Sequence, residues 1–151
     1  MRTFCLTCVT VAAALLVIAG NPATAEDTKK DKDRIQGTWK AVDGEIQGQQ
    51  IPEEGIKNLA LTLKLDGDKY TFDATGQNEE GKVKLDPDKK PKAIDFIIET
   101  GTDKGKTQLG IYAFEDGKLK LCVSKAGETD RPASFKTKEG SMNVCFVLKK
   151  Q

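Results

Sequence analysis

Apolar residues recur at every second position in seven short segments of this chain, and this period of two constrains its fold more than any other feature. In one segment, Leu61, Leu63 and Leu65 alternate with Thr62 and Lys64. Such alternation predicts strands with one apolar and one polar face, because successive side chains point to opposite sides of a sheet. An eighth segment, 109–114, is apolar on both faces, and the others are 35–41, 61–65, 69–73, 82–85, 94–99, 118–123 and 144–149.

The connections between these segments are short and carry turn residues. Asp66-Gly67 and Asp116-Gly117 are hairpin signals, since glycine tolerates positive φ. Residues 51–58 predict a short helical turn between the first two strands, with proline and acidic residues at its start. Eight antiparallel strands with short connections predict an all-β fold, a single up-and-down β-barrel, because closure removes exposed strand edges. A two-sheet sandwich is the alternative. Its immunoglobulin version is disfavoured, because the tryptophan precedes both cysteines of this region.

The first 25 residues have the pattern of a secretory signal peptide. Arg2 precedes an apolar run from Val9 to Gly20, and Ala23-Thr24-Ala25 offers small residues for cleavage. The alternative, an uncleaved membrane anchor, would need a longer apolar run of about 20 residues. We therefore expect residues 1–25 to be a signal peptide and the product to be secreted or periplasmic.

The predicted mature chain is one domain without a net charge. Loss of Arg2 with the signal leaves 23 basic and 23 acidic residues. No basic surplus remains for binding nucleic acid. Residues 26–33 are nearly all charged and predict a polar disordered leader. Residues 34–151 then form the barrel domain.

The segment Gly37-Thr38-Trp39, on the first predicted strand, resembles the Gly-x-Trp motif that opens lipocalin and calycin barrels. The mature chain as a whole resembles an uncharacterised secreted lipocalin-like domain that recurs in planctomycete proteomes. The resemblance implies a lipocalin-like barrel and implies no reaction. It is carried, in this order, by Gln36-Gly37-Thr38-Trp39, Ile51-Pro52, Asp86-Pro87, Pro91-Lys92-Ala93-Ile94-Asp95, Gly105-Lys106-Thr107, Gly110-Ile111-Tyr112, Leu119-Lys120-Leu121-Cys122, Arg131-Pro132 and Phe135.

The resemblance also implies structural roles for three residues. In lipocalins an arginine near the last strands packs over the tryptophan that closes one end of the barrel. Arg131 is the candidate for this contact with Trp39, and Gly37 belongs to the same structural motif. A guanidinium over an indole face contributes roughly 0.5–2 kcal/mol.

The sequence lacks the usual catalytic groups. It contains no histidine, which is the common general base at neutral pH and a common metal and haem ligand. Segment 101–107 is one residue shorter than a phosphate-binding loop and precedes a strand instead of a helix, so it is interpreted as a hairpin loop. The acidic pairs lack the spacing of a calcium loop. We expect no enzymatic activity, no metal site and no cofactor.

Two cysteines remain in the predicted mature chain. Cys122 and Cys145 both have the outward parity of their strands, beside the inward Leu121 and Phe146. A disulfide in an oxidising compartment and two buried free thiols are both open at this point.

Two functions fit this sequence better than catalysis. The first is binding of a small apolar ligand inside the barrel, since an eight-strand barrel has room for packed side chains or one small ligand. The alternative is an interaction or structural module of the cell envelope with a filled barrel, in which loops 76–81, 101–107 and 125–131 meet a partner. The side chains predicted to face the interior are Trp39, Leu63, Phe72, Leu85, Phe96, Ile98, Leu121 and Phe146.

Overall fold

The computed structural model describes residues 25–151. Residues 1–24 of the predicted signal peptide lie outside this range. Two helices and nine strands follow one another along this part of the chain. In chain order they are α1 (Ala25–Ile35), β1 (Gly37–Ile46), β2 (Gln49–Gln50), α2 (Glu53–Leu59), β3 (Thr62–Asp66), β4 (Lys69–Ala74), β5 (Gln77–Asp86), β6 (Ala93–Ile98), β7 (Thr107–Glu115), β8 (Lys118–Val123) and β9 (Val144–Lys150).

Eight of these strands form a closed antiparallel barrel, so the fold predicted from the alternation is confirmed. Strands β3 to β9 lie side by side in chain order, and β1 closes the barrel by pairing with both β3 and β9. The two-residue β2 pairs with the end of β1. Helix α2 lies between β2 and β3 and buries Ile56, which confirms the predicted helical turn. Neither helix of the described chain combines the length and hydropathy needed to cross a bilayer.

The interior of the barrel is one hydrophobic core. In the β1–β3 ladder, for example, Trp39 lies opposite Leu63, and both side chains are 2% exposed. The period of two explains this core, because every strand contributes alternate side chains to the inside. The buried members are Ile35, Trp39, Ala41, Ile56, Leu61, Leu63, Leu65, Tyr70, Val83, Ile94, Phe96, Tyr112, Leu119, Leu121, Val123, Phe146 and Leu148.

Helix α1 covers one end of the barrel and spans residues 26–33, for which the sequence predicts a polar disordered leader. Its last residue, Ile35, is buried, and its Asp31 is only 5% exposed. The Asp31 carboxylate accepts a hydrogen bond of 2.9 Å from the Tyr112 hydroxyl and one of 2.6 Å from Lys92 Nζ. A charged segment is expected to be solvated when no partner is visible nearby. Here the partners lie more than 60 residues away, so composition could not indicate them.

The β1 strand begins at Gly37, two residues later than the alternation predicts. Gly37 has φ 111°, a value that L side chains rarely adopt, and it joins the end of α1 to the strand. Trp39 follows directly and donates a 2.7 Å hydrogen bond from its indole to the Ile35 carbonyl oxygen. Gly37 and Trp39 thus fix the junction between helix and barrel.

The cation expected from Arg131 is supplied by other residues, so that prediction is wrong. Lys150 Nζ lies 5.5 Å from the centre of the Trp39 ring, and the Arg34 guanidinium lies 4.2 Å from the centre of Phe114. Phe114 is itself an aromatic neighbour of Trp39, at 6.3 Å between ring centres. The strand that ends beside Trp39 is β9, and its Lys150 therefore reaches the indole, whereas Arg131 lies in the loop before β9.

Arg131 anchors the long β8–β9 loop to the outer face of the sheet. Its Nη1 donates to the carbonyl oxygens of Gly110, at 2.6 Å, and Ile94, at 3.2 Å. The same nitrogen lies 2.7 Å from Asp95 Oδ1 and forms an ion pair with it. Arg131 thus joins a loop to β6 and β7 instead of covering the tryptophan.

The β8–β9 loop buries a second, small apolar cluster outside the barrel. Cys122 lies opposite Cys145 in the β8–β9 ladder, and the two form a disulfide. Ile111 and both cysteines are buried, and Phe135 from the loop packs on them. The loop explains why segment 109–114 is apolar on both faces, since Ile111 contacts this outer cluster while Tyr112 faces the inner core.

A second contact holds the far part of the same loop. The Glu45 carboxylate accepts hydrogen bonds from the backbone N–H of Thr137, at 2.6 Å, and from its hydroxyl, at 2.9 Å. These bonds, led by the backbone N–H, lower the pKa of Glu45 below its ordinary value. The Thr137 hydroxyl also accepts from the Gly48 N–H at 2.7 Å. The loop is therefore fixed at both ends of its course across the barrel.

Candidate binding cavity

A cavity of about 750 Å³ enters the barrel at the end opposite α1. Exposed residues of the β4–β5 turn, the β6–β7 loop and the start of the β8–β9 loop surround its mouth. Leu59, at the end of α2, and Met142, just before β9, place two exposed apolar side chains on the same rim. Small-molecule sites typically occupy about 300–1,000 Å³, and this volume lies within that range.

Much of the inner wall of the cavity is apolar. Its residues come from strands β3, β4, β6, β8 and β9, all on the inward parity of their strands. Phe72 is half-buried, and the side chains of Leu63, Phe96, Leu121 and Phe146 are each less than 10% exposed. Five of the eight side chains predicted to face the interior form this wall: Leu63, Phe72, Phe96, Leu121 and Phe146.

The other three predicted residues lie elsewhere. Trp39 packs at the closed end beneath Lys150, and Leu85 borders a separate groove beside α1. Ile98 is buried, but it is not part of the cavity wall. Alternation reports which side of a strand faces inward, and it carries no information on height along the barrel axis. Height decides which inward side chains meet the cavity.

One carboxylate faces the cavity from the inner side of the barrel. On β5, Glu79 shares the parity of the buried Gly81 and Val83. The Tyr70 hydroxyl donates a 2.7 Å hydrogen bond to Glu79 Oε1, and both residues line the cavity. Burial in the barrel, together with the bond to Glu79, raises the pKa of Tyr70 well above its ordinary range. The phenol therefore remains a protonated donor.

Gly81 makes room for the Tyr70 ring. The two residues lie opposite each other in the β4–β5 ladder. A Cβ at position 81 would stand 2.0 Å from the Ile97 carbonyl oxygen and 2.9 Å from Tyr70 Cε1. Only glycine fits there, and it allows the tyrosine to lie against the wall, where its ring meets Phe96 edge to face at 4.8 Å. The position of the Tyr70 hydroxyl thus depends on a strand residue without a side chain.

Sequence reasoning missed Glu79 and did not select Tyr70. The predicted strand 82–85 begins too late, because Glu79 and Glu80 look like a solvated acidic pair. The signal that could have found Glu79 is the continuing alternation of Glu79, Gly81, Val83 and Leu85. A glycine within a strand pattern also indicates a close approach by another group.

A second polar group lines the cavity beside Phe96, its direct partner in the β6–β7 ladder. The inward amide of Gln108 donates a 2.8 Å hydrogen bond to the Ser124 carbonyl oxygen. The Ser124 hydroxyl donates to the Leu109 carbonyl oxygen at 3.1 Å. Both residues line the cavity, and their bonds hold the start of the β8–β9 loop at its rim.

The phosphate-loop-like segment 101–107 is a hairpin loop at the mouth. Hydrogen bonds from Gly105 N–H to the Ile98 carbonyl and from Lys106 N–H to the Asp103 carbonyl close it, and β7 follows directly. The Lys106 ammonium lies 2.7 Å from the Asp103 carboxylate. The loop therefore contributes a neutralised ion pair to the rim, and no helix N-terminus follows it.

Comparisons with known proteins add no family assignment. No protein-family model matches the chain, and no curated protein is significantly similar to it. Within residues 25–151, no three His, Cys, Asp or Glu side chains lie close enough together to hold a metal ion. The geometry of the cavity is therefore the main guide to function.

Proposed function

We propose that this protein is a secreted lipocalin-like carrier that binds one small, mostly apolar molecule inside the barrel. The observation that carries the proposal is the cavity of about 750 Å³ with its wall of Leu63, Phe72, Phe96, Leu121 and Phe146. Transfer of an apolar ligand into such a wall contributes roughly 25 cal/mol for each Å² removed from water.

The shape of the mouth also supports binding. Clustered apolar side chains on a protein surface often mark a binding site. Leu59 and Met142 are two exposed apolar side chains at the entrance of this cavity. The second function considered, a filled barrel that acts only through its surface, is less well supported, because the interior wall encloses space beneath this entrance.

We further propose that the protein binds without catalysing a reaction. The chain has no histidine, and two inward polar side chains of the cavity, Glu79 and Gln108, stand on different strands, each in its own hydrogen bond. Secretion is proposed from the signal-peptide pattern alone. Sequencing the N-terminus of the protein isolated from its host tests this point: a start at Glu26 supports it, and a retained Met1 refutes it.

Native mass spectrometry and a dye titration test the carrier proposal. We expect the gently purified protein to carry an additional mass that is lost on denaturation, and to bind the neutral dye Nile red saturably, one molecule per chain. Ala74→Phe places a ring in the cavity and should abolish dye uptake, because Ala74 lines it.

The matched control is Thr71→Phe, which adds the same ring to the outer face of the same strand, β4. It should leave dye binding unchanged. Absence of saturable dye uptake by the wild-type protein, together with a bare mass from its own host, would overturn the carrier proposal. Equal uptake of Nile red by the two variants would show that the dye binds outside the cavity.

A further inference from the structure

The cavity contains an unneutralised carboxylate. Among residues 25–151, three charged side chains line it: Glu79 on the inner wall, and Asp103 and Lys125 at the mouth. Asp103 has Lys106 as its cation, at 2.7 Å, and Lys125 is exposed. Within the described chain no cation forms an ion pair with Glu79, whose one hydrogen bond, to Oε1, comes from the neutral Tyr70 hydroxyl.

The surroundings of this carboxylate are apolar. In the β4–β5 ladder Glu79 lies directly opposite Phe72, and the Tyr70 ring beside it packs on Phe96. Attraction between opposite charges is stronger in such surroundings than in water, because the local dielectric is lower. An unpaired charge is correspondingly unfavourable there. A positive group that enters the cavity would remove this cost and gain the attraction.

The carboxylate is also held in place. The Tyr70 hydroxyl engages Oε1, and Gly81 fixes the position of the Tyr70 ring. The second oxygen, Oε2, has no hydrogen-bond partner among residues 25–151. Asp95 Oδ1 is buried away from solvent, whereas Glu79 Oε2 is not. It is therefore free to accept from a ligand, with little conformational freedom left to lose.

We infer that the barrel cavity selects organic amines: molecules with an apolar body along the Phe72 and Phe96 side of the wall and a protonated amino group on Glu79 Oε2. This inference rests on the proposed carrier function and specifies its ligand class. Tyr70 is a positioning residue, since it orients the carboxylate.

Displacement of Nile red by three probes of equal chain length tests the inference: decylamine and decanoate, each below its micelle concentration, and decanol, below its solubility limit. We expect decylamine to bind about tenfold or more tightly than decanol, because a charge-assisted hydrogen bond contributes about 1.5–3 kcal/mol and each 1.4 kcal/mol is tenfold. Decanoate should bind most weakly, since its carboxylate meets that of Glu79.

Two substitutions on one strand provide the matched comparison. Glu79→Gln keeps the shape and an acceptor for the Tyr70 hydroxyl but removes the charge, and should abolish the preference for decylamine over decanol. Glu80→Gln removes a charge from the exposed, outward-facing neighbour and should preserve the amine preference. Tyr70→Phe keeps the charge but frees the carboxylate, and should reduce the preference without abolishing it.

The two levels of the proposal fail in different ways. If neither the dye nor any probe binds the wild-type protein, the carrier function itself is wrong. If the dye and decanol bind but decylamine is not preferred, the carrier stands and the amine inference is overturned. An amine preference that survives Glu79→Gln would likewise overturn it, since the charge would then come from another residue. Loss of the preference in Glu79→Gln alone would support it.

Discussion

Replacement of Asp31 by alanine should destabilise the protein by about 2–3 kcal/mol, although Asp31 lies in a segment that looks like a solvated leader. Its carboxylate is the hydrogen-bond acceptor for the Tyr112 hydroxyl, and Tyr112 has no exposed surface. A buried hydroxyl left without a partner costs about 1–3 kcal/mol. The Lys92 side chain is 39% exposed, so loss of its ion pair adds less than about 1 kcal/mol.

Urea unfolding followed by circular dichroism measures this loss. With a urea dependence of about 1–3 kcal/mol per molar, the midpoint should fall by roughly 1–2 M. Asp33→Ala is the control on the same helix, because Asp33 is exposed, and its effect should stay within about 0.5 kcal/mol.

A double-mutant cycle identifies the cause. In a Tyr112→Phe background no buried hydroxyl remains to be orphaned, so Asp31→Ala should then cost less than about 1 kcal/mol, a coupling of about 1–2 kcal/mol. A cost of Asp31→Ala that is equal in both backgrounds, or that is no larger than that of Asp33→Ala, would refute the proposed role of the carboxylate in holding α1.

Three further outcomes are expected. Tyr70 and Tyr112, the two tyrosines of the chain, both have pKa values raised above 10.0 by burial. Their contribution to the free energy of unfolding is therefore complete below pH 10 and declines above it. Tyrosinate absorbance should appear only with alkaline unfolding, and ionisation of either tyrosine in the folded protein would contradict this. Glu45 has a pKa below its ordinary value of 4.5, so its contribution to the free energy of unfolding is present above pH 4.5 and is lost as the pH falls through the pKa of the folded state. Glu45→Gln should therefore flatten the acid side of a profile of unfolding free energy against pH. An unchanged profile would argue against the contact with the β8–β9 loop. Reduction of the Cys122–Cys145 disulfide should lower the free energy of unfolding by about 3 kcal/mol for a separation of 23 residues, measured by urea unfolding with and without reductant, whereas two free thiols in the untreated denatured protein would exclude the bridge.

Part of the cavity wall was predictable from local pattern. Leu63, Phe96 and Leu121 line the cavity because each stands on the apolar parity of a clear strand. Glu79 shares such a parity, but a charged residue carries no apolar signal, and its strand looked shorter than it is. The register of β4 against β5 brings Tyr70 close to Glu79, and this register cannot be predicted from local sequence patterns.

Interactions between distant residues were beyond sequence reasoning. Asp31 and Tyr112 are 81 residues apart, and the guanidinium of Arg131 meets carbonyl oxygens on β6 and β7. The expected contact of Arg131 with Trp39 followed from a resemblance, and the actual cation, Lys150, is adjacent only because β1 and β9 close the barrel.

The strands of this chain, the apolar side of each strand and a strand number sufficient for closure could all be read from the amino-acid sequence. These are local properties, because the period of two and the turn residues act over a few positions. Only the folded chain shows how high each inward side chain lies in the barrel, where a cavity remains, and that the Glu79 carboxylate stands inside it without an ion pair among residues 25–151. These are properties of strand register and closure, which join residues that no local pattern connects.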